Sequence, residues 1–134
     1  MLGVFETILY ARDLDAAERF YTDVLGFEVI ERVEVLLALR CEHGVLLIFD
    51  PAKSSVPGRG VPAHGTRGTD GDGHVAFTMP ETEIDAWRAR LAEKGVAIEM
   101  EVDWSAGGRS LYFRDPAGNS LELAPPTLWG GGWF

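Results

Sequence analysis

Apolar residues along the chain recur with a period of about two in some segments and about 3.6 in others, and the alternation predicts one series of elements twice over. Val4 to Tyr10 (VFETILY) predicts a buried strand in which Glu6 is the one charged residue and shares a face with Ile8 and Tyr10. Leu14, Ala17, Phe20, Tyr21, Val24 and Leu25 then form a stripe at helical spacing, with Asp13 as N-cap and Gly26 as the stop. Strands are expected over Phe27 to Ile30, Val35 to Arg40 and Val45 to Phe49, the last two joined by the turn Cys41-Glu42-His43-Gly44.

Asp50 to Gly73 carries glycines, prolines and polar residues without periodicity and predicts a linker and mobile loop. The series then restarts. His74 to Met79 predicts a strand, Glu81 to Lys94 a helix with Ile84, Trp87 and Leu91 inward and Gly95 as its stop, and Val96 to Val102 another strand. Arg109 to Leu123 (RSLYFRDPAGNSLEL) completes it as a hairpin turning at Asp115-Pro116-Ala117-Gly118. Leu121 and Leu123 share one face of its second strand. Glu122 lies on the other, where a carboxylate lining a cavity needs a partner.

Each half therefore reads β-α-β-β-β, and spacing supports an internal repeat. Glu6 precedes the first helix entry at Asp13 by seven residues, as His74 precedes the second at Glu81. Gly44-Val45-Leu46-Leu47 lines up with Asn119-Ser120-Leu121-Glu122. Glu6 and His74 are thus equivalent positions, and so are Leu47 and Glu122. A single domain of 134 residues is expected, with one module at about 1–50, a linker at about 51–72, a second module at about 73–125 and a tail at 126–134.

A formal charge of -9 argues against nucleic acid or an anionic membrane surface as the main partner. Cys41, the one cysteine, has no intrachain partner, and the N-terminus lacks the basic start and long apolar run of a signal peptide, so the cytoplasm is the expected compartment. No apolar run is long enough to span a bilayer.

If the two modules pack about a pseudo-twofold axis, Glu6, Leu47, His74 and Glu122 converge on one concave surface. A neutral imidazole and two carboxylates suit a divalent ion such as Zn, Mn, Fe(II), Ni or Co, with Mg less at home beside histidine. Without a cation the two carboxylates repel each other. Leu47 supplies no ligand and leaves its corner to water or substrate.

The segments ETILYARDLDAAERFYTDVLGFEV, GHVAFTMPETEIDAWRARLAEKGVAI and SLYFRDPAGNSLELA resemble the glyoxalase/bleomycin resistance/dioxygenase superfamily, the vicinal oxygen chelate proteins, over nearly the whole chain. The resemblance implies an α+β fold of two βαβββ modules forming an open, cup-shaped mixed sheet with helices outside, often in homodimers. It also implies that Glu6, His74 and Glu122 match metal-ligand positions. Leu47 departs from the four-ligand glyoxalase I pattern, and Glu6 stands where fosfomycin-resistance enzymes and extradiol dioxygenases have histidine.

By strand alternation Ile8, Tyr10, Phe49, Ala76, Thr78 and Tyr112 share the ligand face and suggest a mostly apolar pocket. Tyr112 and Glu122 are the candidate catalytic groups, and Tyr10, Phe49, Thr78, Tyr112, Trp104 and Arg109 the candidate substrate contacts, the last two as a clamp across the loop between them. Arg59, His64 and Arg67 sit in a segment able to close over a ligand, and Trp129, Trp133 and Phe134 in the tail suggest contact with a dimer partner or the cup rim. Two functions fit: a metal-dependent enzyme acting on a small oxygenated or aromatic metabolite, or a metal-free ligand-binding protein of the bleomycin-resistance type whose acidic cup takes a cationic molecule.

Overall fold

The computed structural model describes residues 3–54, 72–105 and 107–130. Two compact units divide the chain. The first runs to Gly73 and also takes in Pro116–Asn119; the second holds His74–Asp115 and the chain from Ser120 onward.

In the first unit β1 (Glu6–Tyr10) leads to α1 (Leu14–Asp23), β2 (Glu28–Arg32), β3 (Leu36–Cys41) and β4 (Gly44–Phe49). The sheet order is β1-β4-β3-β2, with β1 parallel to β4 and the other pairs antiparallel. Alternation explains the layering. Leu37, Leu39, Leu46 and Ile48 are at most 1% exposed and form the sheet side of the core, joined by Leu14, Ala17 and Tyr21 of α1. Tyr21 packs edge-on to Phe20 and stacks on Phe27.

The helix ends follow the expected chemistry. The Asp13 carboxylate accepts from Ala16 N at 2.9 Å. Gly26, with φ of 75°, turns the chain so that Phe27 N donates to Tyr21 O, a bond a side-chain-bearing residue there would strain.

The second unit repeats the order: β5 (His74–Thr78), a 3₁₀ turn (Glu81–Glu83) running into α3 (Ile84–Glu93), then β6 (Met100–Asp103), β7 (Arg109–Arg114) and β8 (Ser120–Ala124). Its sheet is β5-β8-β7-β6, with β5 parallel to β8. Leu91, Leu111, Phe113 and Leu121 are fully buried. The registers carry the repeat to the residue, for Glu6 pairs with Val45 and Ile8 with Leu47, while His74 pairs with Ser120 and Ala76 with Glu122. Glu6 and His74 hold one position of a common plan, and Leu47 and Glu122 another.

Three departures from the sequence expectation each have a local reason. Pro51–Ser54 forms a helical turn, α2, where a loop is expected, because Asp50 caps it, accepting from Ala52 N at 3.0 Å, and Pro51 fits a first helical position. The second helix opens as a 3₁₀ turn because Pro80, at its N-cap, offers no side-chain cap. β6 begins at Met100 rather than Val96, since Val96 N is used to close α3 by donating to Leu91 O.

Asp13→Ala removes the one side-chain cap of α1 and is expected to lower stability by about 1 kcal/mol. Urea unfolding measures it; an unchanged midpoint would mean that the cap bond contributes nothing.

Candidate functional site

His74 opens β5 and Glu122 lies in β8, and the register sets the two on one face of the sheet, with Ala76 directly beside Glu122. On the other side of Glu122, β7 presents Tyr112 as its cross-strand partner. The face thus carries an imidazole, a carboxylate and a phenol within one sheet.

The carboxylate is the unusual member. Glu122 is 4% exposed, and its Oε1 is buried without a hydrogen-bond partner. An ionised carboxylate so placed costs several kcal/mol unless something positive or protic meets it. Its Oε2 lies 3.5 Å from His74 Nε2.

The backbone decides which way the imidazole faces. His74 Nδ1 lies 3.0 Å from the Ser120 carbonyl oxygen, and because a carbonyl only accepts, Nδ1 carries the hydrogen. In the neutral ring Nε2 then presents a lone pair toward Glu122 Oε2. A lone pair facing a carboxylate oxygen is repulsive until a proton or a metal cation enters between them. Fixing one ring nitrogen on a carbonyl to aim the other is the usual arrangement of a metal-ligating histidine. The donor set fits a divalent ion.

Tyr112 lies against both partners. Its ring is nearly parallel to that of His74, with centroids 6.2 Å apart. Burial, then its hydrogen bond to Glu122 and the charge of that carboxylate, push the phenol up to about 12. Tyr112 is therefore a donor, not a base, at neutral pH.

The remaining sequence candidates are distributed as follows. Glu6, Tyr10 and Phe49 belong to the first unit, where Glu6 is exposed at the head of β1 and Tyr10 pairs with Phe49. Thr78 lies on the His74 face of β5, beside Ala124. Trp104 and Arg109, expected as a clamp, both line a cavity shared with Asp85, Arg88 and Asp103. Trp104 Nε1 donates to the Ser110 hydroxyl at 2.7 Å, and Ser110 alternates onto the Tyr112 face. Arg109 alternates with the fully buried Leu111 and Phe113, on the other face of β7, where Asp103 holds its Nε at 2.7 Å and Glu101 lies 3.5 Å from its Nη1. Arg59, His64, Arg67, Trp133 and Phe134 lie outside the described residues.

Among the described residues no three His, Cys, Asp or Glu side chains form a group able to hold a metal ion. His74 and Glu122 are the pair the second unit itself assembles. The group that sequence reasoning missed is the Ser120 carbonyl, which orients His74. No side chain signals it, and only the β5–β8 register reveals it.

Residues 3–123 match the sequence profile of the Glyoxalase/Bleomycin resistance protein/Dioxygenase superfamily. Biphenyl-2,3-diol 1,2-dioxygenase 3 of Rhodococcus globerulus is 35% identical over 120 residues, which is 87% of this chain and 59% of that protein. The chain thus spans less than two thirds of that relative's length. Glutathione transferase FosA of Serratia marcescens is 31% identical over 90% of this chain and 78% of its own length. Among solved structures, a lactoylglutathione lyase from Agrobacterium tumefaciens superposes with a TM-score of 0.89 at 40% identity, covering 96% of this chain and 97% of that one.

The raised phenol gives a prediction with a defined sign. The folded chain holds the Tyr112 proton more tightly than the unfolded chain, so that contribution to stability is complete below the ordinary tyrosine value of about 10 and is lost as pH climbs through about 12. Urea midpoints measured in chelator from pH 9 to 12 are expected to fall less steeply in Tyr112→Phe than in wild type. Parallel curves would show that Tyr112 titrates as a free phenol.

Proposed function

The chain belongs to the Glyoxalase/Bleomycin resistance protein/Dioxygenase superfamily, and on that premise we propose that it is a divalent-metal-dependent enzyme acting on a small oxygenated or aromatic metabolite. The observation that carries the reading is the opposition of His74 Nε2 and the buried Glu122 carboxylate at 3.5 Å, with Nδ1 already committed to the Ser120 carbonyl and Glu122 Oε1 unpartnered.

His74 and Glu122 would hold the ion, which when bound supplies Lewis acidity toward substrate oxygens and stabilises negative charge on them. Lyase, isomerase, dioxygenase and transferase reactions in small oxygenated molecules all draw on that property. The protein's own part is to prepare the ligands. Ser120 fixes the imidazole, β8 buries the carboxylate out of bulk water, and Tyr112 donates to Glu122 and limits the ways it can turn. Because Tyr112 keeps its proton, it is also the group placed to donate to a substrate oxygen at this face.

Elemental mass spectrometry of the purified protein is expected to find near-stoichiometric divalent metal, lost in His74→Ala and in Glu122→Ala. Glu6→Ala belongs in the same series because the repeat gives Glu6 the place of His74. Loss of metal there assigns Glu6 as a further ligand, and retention removes it. Protein that carries no metal and regains none from Zn, Mn, Ni or Fe(II) contradicts the enzyme reading and favours metal-free ligand binding.

A further inference from the structure

The Ser120 carbonyl can aim the His74 imidazole only while the heads of their two strands are held together. His74 is the first residue of β5 and Ser120 the first of β8, and strand ends are where a ladder opens most easily. Gly73, one residue before β5, donates its N–H to the side-chain oxygen of Asn119, one residue before β8, at 3.0 Å. Two neighbouring residues of one segment are thereby tied to two neighbouring residues of the other. The Asn119 side chain holds the Gly73 backbone, and the His74 side chain meets the Ser120 backbone, at 3.0 Å in each case.

The amide that makes this tie is itself held. Asn119 is fully buried, and its Nδ2 donates to the Tyr10 carbonyl oxygen at 3.0 Å. A carbonyl only accepts and a backbone N–H only donates, so the two partners fix which end of the amide faces which. Turned over, it would set oxygen against oxygen and N–H against N–H in a place without water to repair either. Oδ1 is therefore locked onto Gly73.

The repeat supplies an internal comparison. Gly44 holds the place of Asn119 in the first unit, where Glu6 pairs with Val45 as His74 pairs with Ser120. A Cβ on Gly44 would lie 2.9 Å from the Phe5 carbonyl oxygen, closer than side-chain carbons come to backbone. No asparagine fits there without moving the chain, and Glu6 stands exposed at the head of β1. Of the two equivalent positions, only that of His74 has an amide lock beside it.

We propose that Asn119 is the positioning residue of His74: clamped between the Tyr10 carbonyl and the Gly73 N–H, it fixes the head of β5 so that the Ser120 carbonyl keeps the hydrogen on Nδ1 and Nε2 is left facing Glu122. Its consequence for metal binding rests on the reading of His74 and Glu122 as ligands, whereas its effect on the ring does not.

The test is long-range ¹H–¹⁵N NMR of the His74 imidazole in the full chain, held in chelator at about pH 8, which reads whether Nδ1 carries hydrogen. Wild type is expected to show a protonated Nδ1. In Asn119→Ala the hydrogen is expected to move to Nε2, where Glu122 Oε2 accepts it, and the Gly73 amide to exchange with solvent at least tenfold faster. Asn119→Ser, too short to reach Gly73, is expected to do the same and keeps the test decisive if the alanine variant does not fold. Asn119→Asp retains an acceptor for Gly73 and is expected to restore the hydrogen to Nδ1. Gly95→Ala strains the turn after α3, at φ of 72°, and so lowers stability without touching the strand heads; it is expected to leave the ring as in wild type. An unprotonated Nδ1 in wild type overturns the proposal, as does an Nδ1 that keeps its hydrogen in folded Asn119→Ala or Asn119→Ser, or one that changes equally in Gly95→Ala. Zn(II) titrated into the same samples after the chelator is removed is expected to bind Asn119→Ala at least tenfold more weakly. Wild type that takes up no Zn(II) while Nδ1 follows the expected pattern upholds Asn119 and overturns the metal-enzyme reading instead.

Discussion

The second unit is organised around a buried carboxylate that faces a histidine lone pair. Glu122 has neighbours that suit its location in a sheet and not its charge: Leu121 and Leu123 flank it in sequence, and Ala76 and Tyr112 flank it across the strands. Oε2 faces the imidazole, and Oε1 is buried without a hydrogen-bond partner. A fold selected for stability alone would place leucine there, as the equivalent position of the first unit does at Leu47. A carboxyl is retained there at a cost to stability.

The β-α-β-β-β plan explains how such a site is assembled from residues nearly fifty positions apart. Parallel pairing of the first and last strands, β5 with β8, brings the head of one beside the head of the other, and alternation then fixes which side chains share the face. A slip of one residue would turn Glu122 into the helix-covered core and Leu121 outward. Register is held by that hydrophobic alternation, since Leu111, Phe113 and Leu121 must all be buried together. The same rule that forms the core therefore aims His74 and Glu122 onto one face.

Much of this was legible in the sequence. Strand and helix periods located the eight strands and two long helices of the described residues, and the spacing of Glu6, His74, Leu47 and Glu122 gave equivalences that the two registers reproduce. What escaped was set by groups with no sequence signature. The Ser120 carbonyl that orients His74 is backbone, which hydrophobic periodicity does not register.

If His74 Nε2 and Glu122 share a cation, with Nδ1 held by Ser120, the imidazole binds metal through Nε2 alone. Long-range ¹H–¹⁵N NMR of the His74 imidazole during titration with Zn(II) at neutral pH tests it most directly. Nδ1 is expected to keep its proton throughout, while the Nε2 signal moves to a metal-bound position and saturates at one equivalent, and Glu122→Ala is expected to abolish the change. An Nε2 that is found protonated and unmoved beyond one equivalent of metal would show instead that the pair shares a proton and holds no cation.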